Sequence, residues 1–179
     1  MSALWDAYWP LLTAAAVIGV ISGAFGFKAT TARRPRTPAF GRRAAQAIGV
    51  GAVLALLLGW LWHGPLGTSE RFAAGVERFS RKVLVDFEMG QVQARLERAP
   101  LRRTLVLSGP ADDFQRTELV RIMNDVPGVA KVRWTDMQQP LQLPLILEAE
   151  LAALASFGLG LLMAYLLELR RRYRAQWSW

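Results

Sequence analysis

The chain has 179 residues, with 22 Lys or Arg against 14 Asp or Glu, a single histidine and no cysteine. Without cysteine there is no disulfide framework, thiol nucleophile or thiolate metal site. The net charge of +8 is not one basic surface, because ten basic residues sit in two short stretches beside apolar runs while residues 63–144 hold twelve basic and ten acidic ones; an extended nucleic-acid-binding face is excluded.

The first apolar run extends from about Tyr8 to Phe27, the second from about Ala44 to Trp62 and the third from about Leu145 to Leu167. A helix rising 1.5 Å per residue needs about 20 apolar residues to cross a hydrocarbon core of ~30 Å, so each run predicts a membrane-spanning helix. Pro10 is placed by this reading in the first turn of the first helix, where a missing N–H costs nothing. Ser22-Gly23-Ala24 also reads as a signal-peptide cleavage site. However, Asp6 precedes the run and the basic residues follow it, the reverse of a signal peptide's charge order. The run is therefore read as a permanent helix.

Lys28, Arg33, Arg34, Arg36, Arg42 and Arg43 lie between the first two runs with no acid among them, and Arg170, Arg171, Arg172 and Arg174 follow the third. Short Lys/Arg-rich flanks stay in the cytoplasm. This predicts a bacterial inner-membrane protein with its N-terminus outside, its C-terminus cytoplasmic and residues 63–144 outside. Trp5 and Trp9 at the start of the first span, and Trp60 and Trp62 at the end of the second, suit the outer headgroup layer. Arg170, Arg171 and Arg172 suit contact with lipid headgroups on the inner side.

Small residues recur every four positions in all three spans: Ala15, Gly19 and Gly23; Gly51, Ala55 and Gly59; Ala152, Ser156, Gly160 and Ala164. Such stripes let helix backbones approach closely, either within the chain or against foreign helices. No charged residue falls in the middle of a span, which argues against a transporter. Glu148 and Glu150 open the third span. Because the uninterrupted apolar run begins only at Leu151, they are expected in the outer headgroup layer, with proton carriage as their functional alternative. His63 is the one candidate cofactor ligand, a lone imidazole able to bind haem or a chlorophyll-type pigment. The competing expectation is an interfacial polar residue in the wet headgroup layer.

Residues 63–144 predict one small α/β unit. Phe72, Val76 and Phe79 mark an amphipathic helix over Ser69–Arg81, with Thr68 or Ser69 as its cap. Val83, Val85, Phe87 and Met89 alternate, as do Val92, Ala94 and Leu96, which favours a hairpin around Gly90; the second stretch also fits a short helix. Arg103–Ser108 reads as a buried strand, Gly109-Pro110 as a turn, and Asp112 or Asp113 as the cap of a helix with Leu119, Ile122, Met123 and Val126 on one face. Pro127-Gly128 ends that helix, and Val129–Trp134 reads as a closing strand.

The stretch LVLSGPADDFQRTELVRIMNDVPGVAKVRW, with Leu107-Ser108-Gly109 ending a strand and Val126-Pro127-Gly128-Val129 leading to Val132, resembles the BON domain of bacterial envelope proteins. The resemblance covers about residues 83–135, best over 105–134. It implies binding to phospholipid or envelope surfaces, or a role in assembly, without assigning ligand residues. One departure stands upstream, where Glu97–Arg102, with Ala99-Pro100, reads as a longer connection than the family's tight hairpin.

No pairing of acid, base and nucleophile emerges, Asp112 and Asp113 reading as a cap favoured by the helix dipole. The expectation is a non-enzymatic protein without a cofactor: two transmembrane helices in 1–62, a BON-like α/β domain in 63–144, and a third transmembrane helix with a basic tail in 145–179. Its function is read as an accessory or scaffolding subunit of a larger inner-membrane assembly, with respiratory and photosynthetic complexes as analogies. The alternative is a free-standing envelope protein binding phospholipid or cell-wall material. Other membrane-protein subunits and lipid headgroups are the expected partners.

Overall fold

The computed structural model describes residues 3–29, 38–137 and 142–176, and Arg33, Arg34 and Arg36 of the first basic cluster lie outside them. The fold is mostly helical with one small sheet, in the order α1 (Ala3–Ala29), α2 (Pro38–His63), α3 (Thr68–Asp86), β1 (Gln93–Arg98), β2 (Leu101–Ser108), α4 (Asp113–Asn124), β3 (Lys131–Trp134) and α5 (Leu145–Gln176). Within α1, α2 and α5, the stretches Ala3–Phe27, Arg42–His63 and Leu145–Arg174 are long and apolar enough to cross a membrane. The chain divides into two compact units, one of Met1–Tyr8 with His63–Glu148 and one of Trp9–Trp62 with Ala149–Trp179.

In the first unit, the expected hairpin around Gly90 does not form, because α3 continues through Val83 and Val85 to Asp86. The alternating template omitted Leu84, which extends the buried four-residue ridge Phe72, Val76, Ser80 and Leu84 by one turn, while Val85 and Phe87 are exposed. A ridge with that spacing is a helix face. Phe79, expected on the same stripe, is also exposed. Neither Thr68 nor Ser69 caps α3. Gly67 holds the cap position without a side-chain bond, and Thr68 is the first helical residue and buried.

The hairpin lies one element later. β1 pairs antiparallel with β2 from Gln93↔Ser108 to Arg98↔Leu101, and the two strands are joined by Ala99-Pro100 with a cis peptide bond. The longer connection expected over Glu97–Arg102 is thus a two-residue turn. β2 then pairs parallel with β3, giving the order β1-β2-β3, with α4 as the crossover. The Asp112 carboxylate accepts from the Gln115 N–H at 2.7 Å while the Gln115 side chain accepts from the Asp112 N–H at 3.1 Å, a reciprocal capping box.

The register puts Leu96, Leu105 and Val132 in one row across the three strands, and Ala94, Leu107 and Trp134 in the next. Residues two apart along a strand share a face, so these rows form the apolar face, on which α3 packs over β1 and α4 over β3. Gly128 (φ +97°) tucks under α3, where an added Cβ would come within 2.9 Å of Val76 and 3.1 Å of Phe72. Glu77 guards the open edge, its carboxylate accepting from the Leu96 N–H at 3.1 Å and from Arg98 at 3.0 Å. A capped edge N–H is closed to pairing with another strand.

Trp134 is fully buried, and its indole N–H donates to the Arg116 carbonyl at 3.3 Å beneath the Arg116 guanidinium, 4.9 Å from the ring centroid. Arg116 also reaches Asp136 at 2.8 Å, and this hydrogen bond holds the Asp136 carboxyl below the usual carboxylate range. The pair's stabilising effect is therefore complete above the ordinary aspartate pKa and is lost as pH falls through the depressed one. Asp136 is exposed and Arg116 half-buried, and the effect is small. An NMR titration should show Asp136 protonating below an unpaired aspartate, and Arg116→Ala should move it back toward the ordinary value.

The helix α1, whose residues from Trp9 onward belong to the second unit, begins at Ala3, earlier than the apolar run. Pro10 therefore lies inside the helix instead of in its first turn, and the Asp6 carbonyl loses its usual i+4 donor.

Candidate functional site

Two polar constellations and one glycine seam stand out. In the first unit, Tyr8 of α1 and His63, the last residue of α2, are both buried, and the Tyr8 hydroxyl lies 2.9 Å from His63 Nδ1. The rings stack with centroids 6.4 Å apart. One polar nitrogen of His63 is thus satisfied from inside the protein. Nε2 has no partner among the described residues. Whether Tyr8 donates or accepts depends on the imidazole tautomer. Tyr8→Phe leaves a buried imidazole nitrogen unpaired and should cost about 1–3 kcal/mol, read as a lower unfolding midpoint in a thermal melt.

The same unit includes the first turn of α5. There Arg103 of β2 donates to Glu148 at 3.1 Å and to the Gly128 carbonyl at 3.1 Å, so one guanidinium ties the central strand to the turn before β3 and to α5. Glu148, expected in the outer headgroup layer with proton carriage as its alternative, is ion-paired with Arg103.

The second constellation is on the sheet face opposite α3 and α4. The row Arg95, Val106 and Arg133 continues to Glu97 and Arg102, and Glu97 faces Arg102 at 3.6 Å and Arg133 at 3.9 Å. The three side chains are 11–21% exposed. Glu97 Oε2, Arg102 Nε and Arg133 Nε make no hydrogen bond. One carboxylate thus balances two largely buried guanidiniums. Thr104, fully buried on the same face, donates to Gln142 at 2.6 Å.

The second unit contains the seam. A Cβ added at Gly19 would strike the Phe157 carbonyl, one at Gly160 would strike the Ala16 carbonyl, and one at Gly23 would come within 2.6 Å of Ala164. A Cβ at Gly51 would collide with Ser22, with the Phe157 ring 3.0 Å away. Ala15 and Ala55 are fully buried, and Ser156 donates across to the Leu12 carbonyl at 2.8 Å. Gly59 leaves space for Glu150, whose carboxyl carbon lies 3.4 Å from where a Cβ would be. Most of the small residues are thus used in packing α1, α2 and α5 against one another, but Ala152, expected in the same stripe, is exposed, and the neighbouring Ala153 is buried in its place. Ser22 and Gly23, which also read as a cleavage site, are packing positions inside α1.

Trp5, Trp9 and Trp60 are about half exposed, as are Val50, Val53, Leu54 and Leu57 along one face of α2; Arg170, Arg171 and Arg172 lie on the last turns of α5 and are exposed. Sequence reasoning missed Tyr8, Arg103, Glu97, Arg102, Arg133 and Phe157. Only Phe157 carried a usable signal, standing beside Ser156 in the small-residue stripe. Among the described residues no group of three His, Cys, Asp or Glu side chains could hold a metal ion. The two polar constellations brace the α/β unit internally. No family model, curated protein or solved structure matches this chain.

Proposed function

We propose that this chain is a non-catalytic accessory subunit of a bacterial inner-membrane assembly. In this reading α1, α2 and α5 span the membrane and the α/β domain outside the cytoplasm docks on the assembly. The observation that carries it is the combination of three helices long and apolar enough to cross a membrane with an α/β unit braced internally, by Tyr8 with His63 and by Arg103 with Glu148. A domain braced by its own contacts presents a preformed surface, which suits stable docking better than sampling of small ligands. The exposed apolar face of α2 suits lipid or a neighbouring subunit's helix.

A second reading, a BON-like domain that binds phospholipid or cell-wall material, is supported by the tight Ala99-Pro100 turn, which removes the departure from the family's hairpin. A reporter active only outside the cytoplasm tests the placement common to both. Fused after Asp136 it should be active, and fused at Arg36 silent; the reverse pattern overturns the topology.

A further inference from the structure

We infer that the groove between the C-terminal halves of α1 and α5 binds an anionic phospholipid, with an acyl chain along the groove and the phosphate against Arg171. The inference rests on the reading of these helices as membrane-spanning. The groove, about 180 Å³, has walls of Val20, Ala24, Phe27, Ala164 and Leu167, and its end carries Glu168 and Arg171. The Phe27 ring is set by an edge contact with Tyr165, centroids 5.6 Å apart. Leu167 is more than half exposed, so the walls open outward, toward lipid.

Charge selects the headgroup. Glu168 is mostly covered and is taken by Arg172 at 3.4 Å, which leaves Arg171 as the cation at the mouth. Arg170 and Arg174 add to the same field, and these are the residues that place this end at the cytoplasmic leaflet, where anionic lipids concentrate. An apolar slot ending in an arginine matches an acyl chain ending in a phosphate, because a planar guanidinium can hold two phosphate oxygens at once.

The test reconstitutes the full chain into vesicles of mixed phosphatidylcholine and phosphatidylglycerol, extracts it in mild detergent and counts retained lipid by native mass spectrometry. The inference expects phosphatidylglycerol to be retained over phosphatidylcholine, and Arg171→Gln to reduce that retention about five-fold. Ala24→Leu, which fills the groove and keeps every charge, should reduce it as well, and Arg174→Gln, a change outside the groove, should reduce it clearly less than Arg171→Gln. Absence of a headgroup preference, an unchanged Arg171→Gln, an unchanged Ala24→Leu, or an equal loss with Arg174→Gln overturns it. Flotation separates the two readings: a chain that fails to float with the vesicles refutes the membrane reading and the inference together, whereas one that floats without a preference refutes the inference alone.

Discussion

Gly160→Val is expected to break the contact between α1 and α5, and the same change at Gly158, two residues away, is expected to be tolerated. A Cβ at Gly160 meets the Ala16 carbonyl, with the Gly19 Cα at 3.0 Å, whereas nothing lies within 4 Å of one at Gly158. Backbone cannot rotate aside as a flexible side chain can, so the helices must separate. Separation also strips the Ser156 hydroxyl from the Leu12 carbonyl. Overpacking a well-filled core costs about 1–3 kcal/mol, and loss of the seam adds to that because close packing drives helix association in lipid. Cysteine crosslinking between α1 and α5 in the full chain would report it, with crosslinks lost in Gly160→Val and kept in Gly158→Val. Equal crosslinking in the two variants would rule out the seam.

Glu97→Met should destabilise the α/β unit by about 3 kcal/mol, in the range for stripping a buried charge of its partner. Arg102 and Arg133 would then face each other, largely buried, with no carboxylate between them. For a unit of this size such a loss lowers the unfolding midpoint by roughly 10–20 °C. The triple variant Glu97→Met, Arg102→Met, Arg133→Leu should recover most of the loss, since well-packed apolar replacements of a buried ion cluster are often neutral or better. A thermal melt of the three proteins, followed by circular dichroism, distinguishes the cases. If the single and triple variants melt alike, the cluster is not held by charge balance.

The legible parts of the fold were those whose signal is local. The three apolar runs, the cap at Asp112 or Asp113, which the structure resolves to Asp112, and the Pro127-Gly128 break each sit within a few residues of what they specify, and α4, β2 and β3 lie close to where they were expected. The α3–β1 region failed because Val83, Val85 and Phe87 alternate by chance across a helix end, and only the burial of Leu84 decides between the periods. The polar constellations are non-local. Tyr8 and His63 stand 55 residues apart, and the pairing of Glu97 with Arg102 and Arg133 requires the register of three strands. Of the candidate site residues, the small ones were recognisable because a four-residue spacing is itself the packing geometry of a helix face. Which helix each would meet was not contained in that spacing.

The central claim is that this chain belongs to a larger membrane assembly, and the most direct measurement is its size after native membranes are solubilised in mild detergent. The account predicts co-migration with partner subunits in fixed stoichiometry, lost when the Tyr8–His63 and Arg103–Glu148 contacts are removed together. A solitary particle that binds phospholipid or cell-wall material instead would contradict it.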